Sequence, residues 1–297
     1  MHLYIMLGLA ALTVTAQNVL KKAFNERGGS PYLFSAIAAA TAGLLLALTN
    51  REWVWAGELI WPTLGFSLAY AAAGAFSVLA ILHGPLAKTS LIVSCSLLLP
   101  SLYGILVQGV WLQGQGPFEA LSPTLLFGTV LLVVSLVLVN RTKRQTGQEK
   151  KVSLRWLLYV LLAFLGNGLC SVVQAAKQDF YGNAGNGVFM VSAMCLSAVL
   201  LLVAALFSRP SCACLRTTLM RGWHLAMLCG AANGLTNLLV ISLNAAHFPT
   251  SITFPVVSGG SILLVFLYSV LVKKERYTRP QYVGYALGAV SLVLLNI

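Results

Sequence analysis

The chain has 297 residues, of which 58% are apolar and 9% are charged, and its mean hydropathy is +0.85. A soluble globular protein is closer to half apolar and a quarter charged. The composition therefore excludes an ordinary cytosolic enzyme, a disordered chain and a secreted disulfide scaffold. The 19 Lys and Arg against 7 Asp and Glu give a net charge of +12. Because these basic residues lie between apolar runs, they are typical of topology signals and not of nucleic-acid binding.

Ten apolar runs follow one another along the chain. Each has about 17 residues or more, enough to cross about 30 Å of hydrocarbon as a helix. Backbone polar groups in lipid must be bonded internally, and a barrel would show short alternating segments instead. The sequence therefore predicts an all-α integral membrane protein with ten transmembrane helices. The predicted spans cover residues 3–20, 31–48, 60–82, 88–112, 121–139, 154–176, 187–208, 222–245, 250–272 and 280–296.

The two halves of the chain resemble each other. Residues 128–140 and 284–296 both begin with Gly, and both contain Val-Ser-Leu-Val-Leu followed, one residue later, by Asn. The same spacing relates Lys21 to Lys177. Because five spans are an odd number, the second half would enter the membrane upside down, as in the inverted repeats of many transporters. The sequence thus predicts a first five-helix repeat over 1–140, a basic cytoplasmic linker over 141–153 and a second, inverted five-helix repeat over 154–297.

The end of the second half carries a characteristic set of residues: Pro255 lies in the ninth span, Glu275-Arg276-x-Thr278-x-x-Gln281 in the next loop and Gly284 in the tenth span. With these residues and the five-plus-five repeat, the chain resembles, over nearly its whole length, the drug/metabolite transporter superfamily, specifically its ten-helix EamA-like branch. The first half departs from the family pattern because Glu-Arg is missing after its fourth span. The resemblance implies a substrate path between the halves, lined by spans one, three, four, six, eight and nine.

Polar side chains at membrane depth cluster on those spans. A polar group in hydrocarbon needs a partner or water, and spans five and ten are nearly bare of such groups over VLLVVSLVLV and GAVSLVLL. For each of these side chains, hydrogen bonding between helices and a role in a cavity are both open alternatives. The predicted substrate-binding residues are Gln17, Asn18, Tyr70, Ser94, Asn167, Ser171, Gln174, Asn233, Asn237 and Ser258.

The sequence contains no pattern that indicates catalysis. It lacks a glycine-rich phosphate loop, a cluster of metal ligands and a loop nucleophile paired with a base, so we expect no enzyme, no cofactor and no metal. All seven acidic residues lie in loops or near span ends, which disfavours a buried ion pair with a cationic substrate. Lys21 and Lys177 end spans one and six, and we expect both to snorkel.

Charge indicates how the chain sits in the membrane. Alternate loops share a side, and one set of loops holds 17 of the 19 basic residues, whereas the side with both termini holds only Arg51 and Lys177. The positive-inside rule therefore places both termini outside the cytoplasm.

These features predict a secondary transporter in the cytoplasmic membrane. It would move a small organic solute, such as a metabolite or an amino acid-like or amphipathic compound, by alternating access, with export as the expected direction. Translocation of a lipid-linked head group and a non-transporting sensor or assembly protein are the alternatives. The expected partners are the solute and membrane lipid but no nucleic acid, and the sequence leaves the oligomeric state open.

Overall fold

The computed structural model describes most of the chain. The described residues are 2–25, 27–50, 53–83, 89, 92–93, 96, 98–112, 123–139, 153–208, 214–271 and 278–294. Within them the regular structure is helical and no strand occurs. Ser94 and residues 141–152 of the predicted linker lie outside the described residues.

Ten helices are described, together with a short 3-10 helix at Gly57–Leu59 and a short π-helix at Thr218–Gly222. The helices are α1 (His2–Asn25), α2 (Pro31–Thr49), α3 (Ile60–His83), α4 (Leu98–Tyr103, continued as a π-helix over Gly104–Leu112), α5 (Pro123–Val139), α6 (Leu154–Tyr181), α7 (Asn186–Phe207), α8 (Trp223–Ala245), α9 (Thr250–Leu271) and α10 (Arg279–Leu294).

Six helical segments within the described residues are long and apolar enough to cross a membrane, which indicates a membrane protein as the sequence predicts. These segments are His2–Lys21, Pro31–Thr49, Gly57–Ser77, Leu154–Tyr181, Asn186–Phe207 and Cys214–Ala245.

Local sequence sets several of the helix ends. Ser30 and Ser153 precede α2 and α6, and each side chain accepts a hydrogen bond from the backbone N–H three residues later. Pro31 then occupies the first position of α2, where its missing N–H costs little. Gly182 and Gly185, both with positive φ, lie between α6 and α7 and let the chain turn sharply there.

Helices of the first half pack extensively against helices of the second half. α1 packs on α8 and α9, α2 on α7 and α8, α3 on α6 and α7, α4 on α6 and α9, and α5 on α10. Exchanging every helix with the one five places away in the chain leaves this set of pairs unchanged. The packing between the halves is therefore two-fold symmetric in its pattern.

The contacts also give the relative directions of neighbouring helices. Phe66 lies beside Cys170 and Gly65 beside Val173, so α3 and α6 run antiparallel. Between α2 and α8, Ala38 lies against Gly230 and Ala42 against Gly234, so this pair runs parallel. Both relations are those expected if each helix reverses direction relative to the one before it.

Gly166 lets the backbones of α3 and α6 approach each other closely. A Cβ atom at Gly166 would lie 2.7 Å from the backbone N of Ala73 and 2.8 Å from the backbone O of Ala69. Backbone atoms cannot move aside as the end of a flexible side chain can, so any side chain at this position forces the two helices apart.

Gly166→Ala is therefore expected to lower stability by about 1–3 kcal/mol, the usual cost of overpacking. The measurement is the thermal unfolding midpoint of the purified protein in detergent. Gly8→Ala in α1 is the matched control, because a Cβ there meets nothing within 4 Å. Equal midpoints for the two variants would contradict the close α3–α6 packing.

Candidate functional site

One face of α6 carries polar side chains opposite its exposed apolar face. Leu158, Leu165 and Leu169 are exposed together on one side. At 100° per residue, Asn167 and Gln174 project from the opposite side. Asn167 is itself exposed, and its Nδ2 donates to Ser96 Oγ at 2.7 Å. Its exposure is therefore on the inward side of the helix, between α6 and the segment before α4.

The corresponding inward face of α8 carries Asn233 and Asn237, opposite the exposed Leu228 and Leu235. Asn237 Nδ2 donates to Asn233 Oδ1 at 2.7 Å and to the Asn233 carbonyl at 2.9 Å. Asn233 Nδ2 in turn donates to the hydroxyl oxygen of Tyr70 on α3. These bonds form a continuous polar chain from α8 in the second half to α3 in the first.

A second polar cluster joins α1 to α8. Gln17 Nε2 donates to Thr236 Oγ1 at 2.9 Å, and the hydroxyl oxygens of Thr13 and Thr236 are 2.8 Å apart. Gln17 and Thr13 are both buried. Gln17 therefore makes a bond between helices, which is one of the two alternatives that its sequence left open.

Three described residues bury side-chain polar atoms that have no hydrogen-bond partner: Thr63, Gln174 and Asn244. In Gln174 the atom is Nε2, whereas in Asn244 both amide atoms are unpartnered. Each of these two residues is only 5% exposed. Asn244 is not among the residues predicted from the sequence, although its position seven residues after Asn237 places it on the same inward face of α8.

The remaining predicted site residues are more loosely placed. Asn18 on α1 is exposed, while Ser171 on α6 and Ser258 on α9 are half-buried. Among the predicted residues that the structure describes, it thus brings Tyr70, Asn233 and Asn237 into direct hydrogen-bond contact.

The Asp179 carboxylate links α6 to α4 through hydrogen bonds near the end of α6. Asp179 Oδ2 accepts a hydrogen bond from the Tyr103 hydroxyl at 2.8 Å and from Gln108 Nε2 at 2.9 Å. Trp111 and Phe180 have ring centroids 5.9 Å apart just beyond it. This seam joins α4 to α6, and the sequence alone could not locate it because the residues it pairs lie 69 to 76 positions apart.

Lys177 does not snorkel, contrary to the prediction. It is only 2% exposed, and its Nζ donates to the carbonyls of Gly182 at 2.8 Å and Ala184 at 2.7 Å and to Asn186 Oδ1. The lysine thus folds into the α6–α7 loop because the turn there presents oxygens to it. Lys21, its counterpart in the first half, is exposed.

Formal charge is scarce along the inward faces. Among the described residues the acidic side chains are Glu58, which is exposed in the 3-10 helix, and Asp179, which is bonded to α4. The described part of the chain contains no group of three or more His, Cys, Asp or Glu that could hold a metal ion. The described polar groups on these faces are mostly neutral amides and hydroxyls, which form hydrogen bonds.

Comparison with known proteins gives the fold alone. No family model and no curated protein matches the chain. Among solved structures 28 chains match, and one of these, a crystal structure, superposes with a TM-score of 0.71 at 15% identity. That match covers 99% of this chain and 97% of the other. The helical arrangement is therefore one that an experimentally determined protein shares over its whole length.

Proposed function

We propose that this chain is a secondary transporter of a small organic solute in the cytoplasmic membrane, working by alternating access. Its ten helices would form two inverted repeats, over 1–140 and 154–297, of the drug/metabolite transporter type that the chain resembles. One observation carries the proposal. Positions related by the repeat have opposite exposure at the ends of α1 and α6.

At the end of α1 the inward face is open. Leu7, Ala11 and Asn18 lie on one face of this helix by their spacing. Leu7 and Ala11 are buried, but Asn18 is exposed, and so is Lys21 one turn later. The side of α1 that packs into the protein over its first half is thus uncovered near its end.

At the end of α6 the related face is closed. Gln174 and Lys177 occupy the positions that correspond to Asn18 and Lys21, and both are buried. In inverted repeats these two helix ends lie at opposite sides of the membrane. One side open and the other closed is the arrangement that alternating access requires, and exchanging the conformations of the halves would exchange the sides.

The packing pattern supports the duplication. Because pairs such as α1–α8 and α3–α6 are exchanged by a shift of five helices, the two halves make equivalent contacts with each other. If two such halves trade conformations, equivalent contacts are exchanged, and a solute that binds one state more tightly shifts the equilibrium toward that state.

Charge supports the proposed orientation. The loop between α1 and α2 belongs to the basic set, which the positive-inside rule assigns to the cytoplasm. The open side would then face the cytoplasm, and both termini would lie outside. A solute binding from the open side would enter from the cytoplasm, as in export.

Flux into liposomes that contain the purified protein tests the function directly. Pools of labelled metabolites are offered under imposed proton and sodium gradients, with empty liposomes as the control. Uptake of at least one solute that saturates with concentration is the expected result. Intact vesicles that pass no solute under any gradient would overturn the proposal.

Cysteine labelling tests the open and closed sides. With a membrane-impermeant thiol reagent and a background in which the native cysteines are replaced, Asn18→Cys is expected to react from the cytoplasm. Gln174→Cys is expected to stay unreactive from both sides in the resting protein. A transported solute should reverse part of this difference. Fast labelling at residue 174 with none at residue 18 would contradict the assigned state.

A further inference from the structure

In the described part of the chain, Gln174 Nε2 and both amide atoms of Asn244 are buried without a hydrogen-bond partner. Leaving such a group unsatisfied costs about 1–3 kcal/mol, whereas an apolar residue of the same shape would remove that cost. Two such amides on inward faces thus point to a bound molecule that supplies the missing bonds. This inference rests on the proposed function, since it concerns the solute that the transporter carries.

Helix spacing sets the two amides along one direction between the halves. Val173 and Leu238 pack against the same buried cluster around Phe66, so Gln174 and Asn237, their chain neighbours, lie at similar depth. Asn244 follows Asn237 by seven residues on the same face of α8, or about 10 Å further along the helix. A solute that leaves the Tyr70–Asn233–Asn237 chain toward the closed side would meet Gln174 first and Asn244 next.

The unpartnered atoms define the group that they would bind. Gln174 offers N–H donors and needs a carbonyl-type acceptor. Asn244 has both its donor and its acceptor unused, so its complement is a group that also combines the two. A carboxamide, or the edge of a similar imide or lactam, meets both requirements with one chemical group.

Charged solutes fit this route less well. The ammonium of Lys177 donates to three oxygens of its own loop, and the Asp179 carboxylate already accepts from two residues of α4. Among the described residues of this route no unbonded charge remains to pair with a carboxylate or an ammonium on the solute, and burying an unpaired charge costs far more than burying a neutral amide.

We propose that this route recognises a neutral solute bearing a carboxamide-type group, and that Gln174 and Asn244 determine this specificity. Ligand binding to the purified protein tests it. The probes are matched sets on three skeletons: acetamide, acetate and ethylamine; butyramide, butyrate and butylamine; benzamide, benzoate and benzylamine. At least one carboxamide is expected to raise the thermal unfolding midpoint, with no shift from its acid or amine.

Variants separate recognition from structure. Gln174→Met and Asn244→Leu are each expected to weaken carboxamide binding at least tenfold. Without ligand, their unfolding midpoints are expected to equal or exceed that of the unchanged protein, because each removes an unsatisfied buried amide. Ser242→Ala, on the exposed face of α8, is the control and should change neither quantity.

The outcomes are distinct from those of the transport test. Binding of acids or amines in preference to carboxamides, no carboxamide binding at all, or full binding by Gln174→Met would each overturn the specificity. A lower midpoint for ligand-free Gln174→Met would also overturn it, since the amide would then have a structural partner. Carboxamide binding without flux would contradict the transport function but support the binding site. Flux of charged solutes alone would support transport and contradict the carboxamide specificity.

Discussion

Replacing Asn237 by Leu is expected to abolish transport while leaving the fold intact. The Asn237 side chain donates twice to Asn233, and Asn233 donates to the Tyr70 hydroxyl. With leucine at residue 237, Asn233 Oδ1 loses its donor, and only the bond to the Tyr70 hydroxyl still orients the Asn233 amide. The hydrogen-bonded chain from α8 to α3 then loses its first member. Any bonds that Asn237 makes to the solute are lost with it.

The expected loss is at least tenfold in the initial rate of flux, corresponding to about 1.5 kcal/mol or more for bonds to a buried polar group. Ser242→Ala is the matched control, because Ser242 lies on the exposed side of the same helix and bonds only within it. Thermal unfolding of both variants checks that the protein folds.

A double variant sharpens the same prediction. If Asn233 and Asn237 act as one unit, Asn233→Leu combined with Asn237→Leu should lose no more transport than either change alone. Losses that multiply would mean that the two amides act independently. Normal flux in both single variants would show that this polar chain lies outside the substrate path.

The sequence predicts which segments are helices more readily than it predicts which helices contact each other. Runs of apolar residues predict α1, α2, α3, α6, α7 and α8, because spanning a membrane imposes length and hydrophobicity on each helix separately. Serines and glycines at their ends add local signals that act within a few residues, as at Ser153 and Gly182.

Only part of the candidate site could be predicted from the sequence. Helical spacing correctly groups Asn233 with Asn237, since bonds one turn apart depend on one helix alone. The bond from Asn233 to Tyr70 joins residues 163 positions apart and depends on how α3 and α8 are set against each other. Polarity likewise finds Gln17 but does not distinguish its bond to Thr236 from a cavity role, because both require a polar side chain in the membrane.

Lys177 is the case where a sound general rule gave the wrong result. A lysine at a span end usually extends to the interface, but here the loop over residues 182–185 turns back over it. Gly182 and Gly185 adopt positive φ, and the turn between them directs two carbonyls at the ammonium. Only the folded loop reveals that water at this lysine is replaced by protein oxygens.

Lys177→Met is accordingly expected to destabilise the closed side of the protein. Methionine fills most of the same volume but donates no hydrogen bond, so the Gly182 and Ala184 carbonyls and Asn186 Oδ1 all lose a donor at once. The expected cost is about 2 kcal/mol or more, because three hydrogen bonds from a charged donor are lost at once. Lys21→Met is the matched control, since Lys21 occupies the related position of the first half and is exposed.

Two measurements separate a local effect from general unfolding. The unfolding midpoint of Lys177→Met should fall, while that of Lys21→Met stays within the range of ordinary surface changes, about 0.5 kcal/mol. In the Gln174→Cys background, Lys177→Met should also make residue 174 reactive to an impermeant thiol reagent from the side of the termini. That reactivity follows because the α6–α7 loop no longer covers the end of α6. Unchanged protection of residue 174 would mean that other contacts, such as the Asp179 seam to α4, close this side without the lysine.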